Sequence, residues 1–201
     1  MKKIFILILV ITSTGYLFAQ DEEKIDNIET FFEKPSKIRG YVGPLTDITT
    51  VDGEAAYMTG VNVAGIFNDH FVLGFYNLNI ENDIKSDNTN YFESTIDFNH
   101  KGIWLGYIFM PKRIIHFNTN VMLGKGDLEL YDDFLNEWIE DDFIFVLTPS
   151  LEAEFNVAKF LRVGIGANYR FTFDVDKFVD YNDNDFSDFG AFVSFKFGWF
   201  N

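Results

Sequence analysis

Along residues 161–175, LRVGIGANYRFTFDV, apolar and hydrophilic positions alternate without interruption. The odd side reads Leu161, Val163, Ile165, Ala167, Tyr169, Phe171, Phe173 and Val175. The even side reads Arg162, Gly164, Gly166, Asn168, Arg170, Thr172 and Asp174. A period of two over such a length predicts one extended strand with an apolar face and a hydrophilic face. Strands of soluble domains usually stop after about 5–6 residues. A strand crossing a bilayer obliquely needs about 9–11 residues in the hydrocarbon, plus extensions beyond it.

From residue 38 onward the chain reads as a succession of such strands, spanning approximately 37–50, 54–67, 70–81, 92–110, 113–130, 143–157, 160–175 and 189–200. Eight is an even number, as single-chain bacterial barrels require. Tight turns are expected at Asn68-Asp69, Pro111-Lys112 and Ala158-Lys159. The intervening connectors lie near Asp52-Gly53 and over 82–91, 131–142 and 176–188; all but the first are longer and more polar. Short turns at one end and longer loops at the other suit a barrel running from periplasm to cell surface.

The strands differ in clarity. In 54–67, Tyr57, Val61, Val63 and Phe67 alternate with Met58, Gly60, Asn62 and Ala64. In 143–157, Phe143, Phe145, Leu147 and Leu151 oppose Thr148, Ser150, Glu152, Glu154 and Asn156. A turn at Ala158-Lys159 sets Glu154 opposite or diagonal to Arg162 on the hydrophilic side, where opposite charges stabilise a cross-strand pair. The strand over 92–110 changes phase: Phe92, Ile96 and Phe98 are even, whereas Ile103, Leu105, Tyr107 and Phe109 are odd. A bulge near His100 to Gly102 would account for it. The first and third strands are ambiguous. Alternation alone also leaves open whether the apolar face points out to lipid or inward, as in a soluble lipocalin-like barrel.

The N-terminus is of another kind. Lys2 and Lys3 precede an apolar core from Ile4 to Ile11, and Ala19-Gln20 offers a cleavage position, so residues 1–19 read as a secretory signal peptide. Residues 20–37 place Ile25, Ile28, Phe31 and Phe32 at helical spacing before Pro35. This segment reads as a periplasmic arm or short helix, or as a cover for one barrel mouth. Residues 38–201 form the barrel. The absence of cysteine excludes disulfides, thiol chemistry and a lipid anchor on cysteine. The formal charge of −15, about −17 without the signal, argues against nucleic acid as a partner.

With Asp188, Gly190, Val193 and Phe195, the last strand resembles the polar-x-Gly-x-x-apolar-x-aromatic signal read by outer-membrane assembly machinery. The chain as a whole resembles the small eight-stranded barrels of the OmpA and OmpX kind, although its signal lies several residues before the terminal Asn201. The resemblance implies an all-β, eight-stranded antiparallel up-and-down transmembrane β-barrel in the bacterial outer membrane. It also implies outer-membrane lipid and lipopolysaccharide as surroundings and the assembly machinery as a partner during biogenesis.

Some small outer-membrane barrels hydrolyse or transfer lipid A acyl chains, which needs a histidine beside a serine, oriented by a carboxylate. The chain offers His70 at a turn, His116 towards the interior near a strand end, and His100 before Lys101-Gly102. None has a serine two positions on. The acidic connectors are a second candidate: Asp132, Asp133, Glu137, Glu140, Asp141 and Asp142, then Asp176, Asp180, Asp183, Asp185 and Asp188. They lack the EF-hand pattern and read as solvated surface. Tyr131, Phe134 and Trp138 could present a contact patch to a protein or glycan, or belong to an aromatic girdle. Basic residues gather at the turn end, with Lys112, Arg113, Lys159 and Arg162. No catalytic, cofactor-binding or metal-binding residue is assigned and no cofactor is expected. The expected role is non-catalytic, in envelope structure or partner contact. The alternatives are a lipid-modifying enzyme and a soluble exported barrel binding an apolar ligand.

Overall fold

The computed structural model describes residues 37–86, 94–132, 134, 137–179 and 181–200. The expected signal peptide and nearly all of the N-terminal arm lie outside the described residues. The strands are β1 (Ile38–Val51), β2 (Glu54–Phe67), β3 (Phe71–Ile80), β4 (Ile84–Lys85), β5 (Ser94–Phe109), β6 (Ile115–Asp132), β7 (Glu137–Ala158), β8 (Leu161–Phe173) and β9 (Asp188–Gly198). Every pairing is antiparallel. The eight long strands follow one another around the wall, β3 pairs with β5, and β1 pairs with β9 to close the barrel. The two-residue β4 lies against β5.

Local chemistry sets the hairpins. Asp52 and Gly53 have φ values of 50° and 78°, and Asn68 and Asp69 have 50° and 66°. Two consecutive positive φ values make the primed turn that matches strand twist, and Asp-Gly and Asn-Asp tolerate it. At the closing seam Gly43 of β1 approaches β9 so closely that a Cβ there would fall 1.5 Å from the Phe195 carbonyl oxygen.

In β8 the even residues Arg162, Asn168, Arg170 and Thr172 are buried, while Ile165 and Ala167 of the odd side are exposed. The apolar face points outward. The formerly ambiguous strands follow suit: β1 buries Tyr41, Leu45 and Asp47 and exposes Val42 and Ile48, and β3 buries Val72 and Tyr76 and exposes Leu73 and Phe75.

Strand β5 corrects the expected bulge. Its even positions Ile96, Phe98, His100, Trp104 and Ile108 face inward from end to end, and its ladders to β3 and β6 run in unbroken register through His100–Gly102. What changes is the chemistry of the two sides. Towards the turn end the wall is apolar outside; towards the loop end β5 turns Thr95, Asp97, Asn99 and Lys101 outward and Ile96 and Phe98 inward. Strand β6 repeats this, with Phe117, Val121 and Leu123 outward below and Lys125, Asp127 and Glu129 outward above. A change in what surrounds the wall reverses the apparent phase while the pleat continues. The register irregularities fall elsewhere, between Leu130 and Tyr131 in β6/β7 and between Asn156 and Ala158 in β7/β8. Strand β7 also begins at Glu137, so much of the stretch expected as a loop over 131–142 is strand.

Candidate functional site

The interior divides into two compartments. In the turn-end half, inward positions of four neighbouring strands are polar: His116 and Asn118 from β6, Glu152 and Glu154 from β7, Arg162 from β8, and Ser194 and Lys196 from β9. Glu154 is the node. Its Oε1 accepts from Arg162 Nη1 at 3.0 Å and lies 2.8 Å from His116 Nε2, while its Oε2 accepts from Asn118 Nδ2 at 2.9 Å and pairs with Lys196. Glu152 accepts from Lys196 Nζ at 2.7 Å, Ser194 Oγ at 2.5 Å and Asn118 Nδ2 at 3.0 Å. Two carboxylates thus face one ammonium and one guanidinium, all buried. Removed from water, such charges persist only when opposed and hydrogen-bonded. The Arg162 guanidinium also lies 4.0 Å from the Phe200 ring centroid, a cation–π distance.

At mid-height Trp104 Nε1 donates to Asn120 Oδ1 at 3.2 Å, and Asn168 Nδ2 donates to Asp47 Oδ2 at 2.9 Å. Leu45, Asp47, Trp104, Met122, Ser150, Asn168 and Phe192 pack together there with no room for a ligand. Glycines on the inner face make way for larger neighbours. A Cβ at Gly164 would fall 1.8 Å from Glu152 Oε1.

The loop-end half is filled by residues 174–179 and 181–187, which corrects the expected role of this stretch as a plain solvated loop. Phe178, Tyr181 and Phe186 are buried with Val51, Met58, Ile84, Ile96 and Phe98. Phe186 meets Phe98 and Tyr181 with ring centroids 6.1 and 5.5 Å apart. Arg170 ties this layer to the wall, donating to the carbonyls of Phe186 at 2.8 Å and Thr50 at 2.6 Å. Tyr181 donates to Asp52 Oδ2 at 3.0 Å and lies 2.6 Å from Ser86 Oγ. Burial, helped by the charge of Asp52 and opposed by the Ser86 hydroxyl, pushes the Tyr181 phenol above its ordinary range.

The loop acids hold backbone. Asp142 accepts from the amides of Asp176 at 3.2 Å and Lys177 at 3.4 Å, Asp183 from Val175 at 3.1 Å, and Asp185 from Asn182 at 2.8 Å. Among the described residues no group of three or more His, Asp or Glu side chains is placed to hold a metal ion. Asp133 and Asp180 lie outside the described residues.

The histidines are dispersed. His70 Nδ1 lies 2.7 Å from the Ile108 carbonyl oxygen, and its ring stacks on Tyr107. His100 is buried, stacked on Phe98 and 3.2 Å from the Tyr76 hydroxyl. His116 has the carboxylate that a catalytic histidine would use, but the serine of that compartment, Ser194, donates to Glu152. The expected Glu154–Arg162 pair is present, whereas Lys196, Glu152 and His116 completing the cluster are a finding of the structure.

On the outer surface at the loop end, Tyr131 and Trp138 meet at 5.0 Å between ring centroids, and Phe134 and Trp138 are exposed. The pair borders a depression of about 360 Å³ with Glu81, Asp83 and Asp97 on its wall.

A closed eight-stranded antiparallel barrel, apolar outside and polar within, is the architecture of the small outer-membrane barrels. Solved structures that share this fold include three small barrels. Neisserial surface protein A matches with a TM-score of 0.56 at 9% identity, over 82% of this chain and 97% of its own. Ail, the attachment invasion locus protein of Yersinia pestis, gives 0.51 at 10% over 81% and 97%. The N-terminal β-barrel domain of Pseudomonas aeruginosa OprF gives 0.54 at 7% over 79% and 97%. At these identities the likeness establishes the fold. No protein-family model matches the chain, and no curated protein sequence matches it significantly.

Proposed function

We propose that the protein is a non-catalytic barrel of the bacterial outer membrane, with its turn end towards the periplasm and its loop end presented to a partner. The observation that carries this reading is the distribution of polarity around the wall. Outward residues of β8 from Leu161 to Phe173 are apolar or aromatic throughout. At about 3.3 Å per residue and a tilt near 40°, that run covers roughly 30 Å along the axis, the height of a hydrocarbon core. Aromatic side chains gather at both ends of the band, with Phe160, Phe197 and Trp199 below and Tyr169, Phe171, Phe173 and Phe189 above. On β3, β5 and β6, charged and amide side chains face outward only above the band.

A soluble lipocalin-like barrel calls for the opposite arrangement, with an apolar, ligand-sized interior and a wet exterior. A lipid-modifying enzyme calls for a serine against a histidine, and His116 faces Glu154 instead. The salt-bridged lower compartment and the loop-filled upper one favour a wall over a pore.

The partner surface we assign is the Tyr131–Trp138 pair with Glu81, Asp83 and Asp97. Carboxylates beside exposed aromatic faces suit a cationic partner, through ion pairs and cation–π contact. Ail has been crystallised with the heparin analogue sucrose octasulfate; the acids at this loop end would repel such a polysulfate. Fractionation with heat-modifiable gel mobility tests the placement. The folded chain is expected in outer-membrane vesicles and insoluble without detergent, and a mature protein soluble in plain buffer would refute it.

A further inference from the structure

The turn-end mouth holds a cavity of about 480 Å³ lined by Lys37, Arg39, Asp69, Lys112, Lys159 and Arg162, with Phe200 and Asn156 among its other walls. Five bases face one carboxylate. Asp69 is engaged by Arg39 at 2.7 Å and by Lys37 at 3.9 Å. Lys112 and Lys159 are exposed on the turns. Arg162 forms part of the lining while only 3% exposed. Glu154 takes its Nη1 and Phe200 covers one face of its guanidinium, yet its Nε is buried with no hydrogen-bond partner. An orphaned donor on a buried cation is costly unless something answers it. Of the carboxylates just beneath, Glu154 offsets Arg162 and Lys196 while Glu152 is occupied by Lys196, Asn118 and Ser194, and among the described residues neither meets Lys112 or Lys159.

We propose that this basic vestibule binds a phosphate group, the oxyanion accepting from Arg162 at the floor and from the lysines of the turns at the rim. A tetrahedral dianion offers several acceptors to diverging donors, which suits one half-used guanidinium and mobile ammonium groups. The phosphate could arrive on a soluble metabolite or on an anionic phospholipid. An apolar groove on the outer side of the same rim, lined by Gly40, Val42, Val63, Phe160, Phe197 and Trp199, gives an acyl chain a place to lie. The site rests on the barrel fold, and its lipid source rests also on the membrane placement proposed above.

Barrel refolded in zwitterionic detergent, with its folded state verified by heat-modifiable mobility, is titrated with inorganic phosphate and with glycerol phosphate by calorimetry. In parallel, barrel in nanodiscs of phosphatidylcholine alone, or mixed with phosphatidylglycerol, is examined by native mass spectrometry for retained lipid. Saturable binding is expected in at least one arm, and the responding arm identifies the source. Lys112→Gln combined with Lys159→Gln, both on exposed turns, should weaken it about tenfold, and added salt should weaken it further. Arg162→Gln should weaken it more than the lysine pair does. With the barrel shown to be folded, no saturable binding in either arm overturns the proposal, as does binding that the lysine pair leaves unchanged. Failure of the barrel to enter membranes would instead count against the placement.

Discussion

Glu154 shows how one side chain can hold a barrel interior together. It reaches His116, Asn118, Arg162 and Lys196 on three other strands while itself 1% exposed. Removing one member of such a cluster leaves the others charged and unopposed, which typically costs about 3–5 kcal/mol. Glu154→Gln should therefore lower the unfolding free energy read from urea denaturation in detergent by that order, and Ile165→Ala, exposed on the outer face, by far less. Equal shifts would show that the lumen cluster adds nothing to stability. Part of the cluster is legible in sequence, because Glu154 and Arg162 flank a tight turn and share a face. Lys196 and His116 come from strands far along the chain. Nothing local to KFG or IHF reveals that they meet at the same carboxylate; only the register of β6/β7 and β8/β9 brings them together.

At the scale of elements, the segment 174–187 departs furthest from its sequence. Its aspartates suggest water, yet Phe178, Tyr181 and Phe186 carry it into the barrel mouth, and several of the acids hold its own backbone. Alternation finds strands because it repeats; three aromatics spaced irregularly in a loop have no period to detect. The same limit explains β5, whose outward face is polar above and apolar below while Ile96, Phe98, Trp104 and Ile108 stay inward throughout. The Tyr181 phenol supplies a pH test. Its pKa is raised above the ordinary value of 10.0, so its contribution to closure is complete below about pH 10 and lost as pH rises beyond it. Amide exchange within 174–187 should accelerate above that pH, and Tyr181→Phe should remove this step while leaving neutral-pH closure largely intact. Phe186→Ala should open the loop at neutral pH, read as faster proteolysis there, since deleting a buried phenyl ring costs about 3–5 kcal/mol in a packed core.

Seen whole, the molecule has two solvents written into its wall. Below, the pleat sends apolar groups out and charged pairs in; above, on β3, β5 and β6, it does the reverse and resembles a soluble barrel. Strand number, antiparallel order and which residues share a face were legible because a period of two survives every tertiary context in which one side is uniform, whereas which face turns outward was not, since alternation looks the same either way. Among the described residues, ion pairs fill the lower lumen, side chains pack its middle and the loop fills its upper mouth, so liposomes carrying the folded barrel should swell in sugar solutions no faster than empty ones. The central claim is that the apolar face meets lipid. Its direct test compares single cysteines at Ile165, exposed on β8, and at Ser194, buried on β9, in barrels reconstituted into bilayers and treated with a lipid-soluble maleimide. Ile165→Cys should label rapidly and Ser194→Cys hardly at all; equal labelling, or the reverse, would contradict the arrangement.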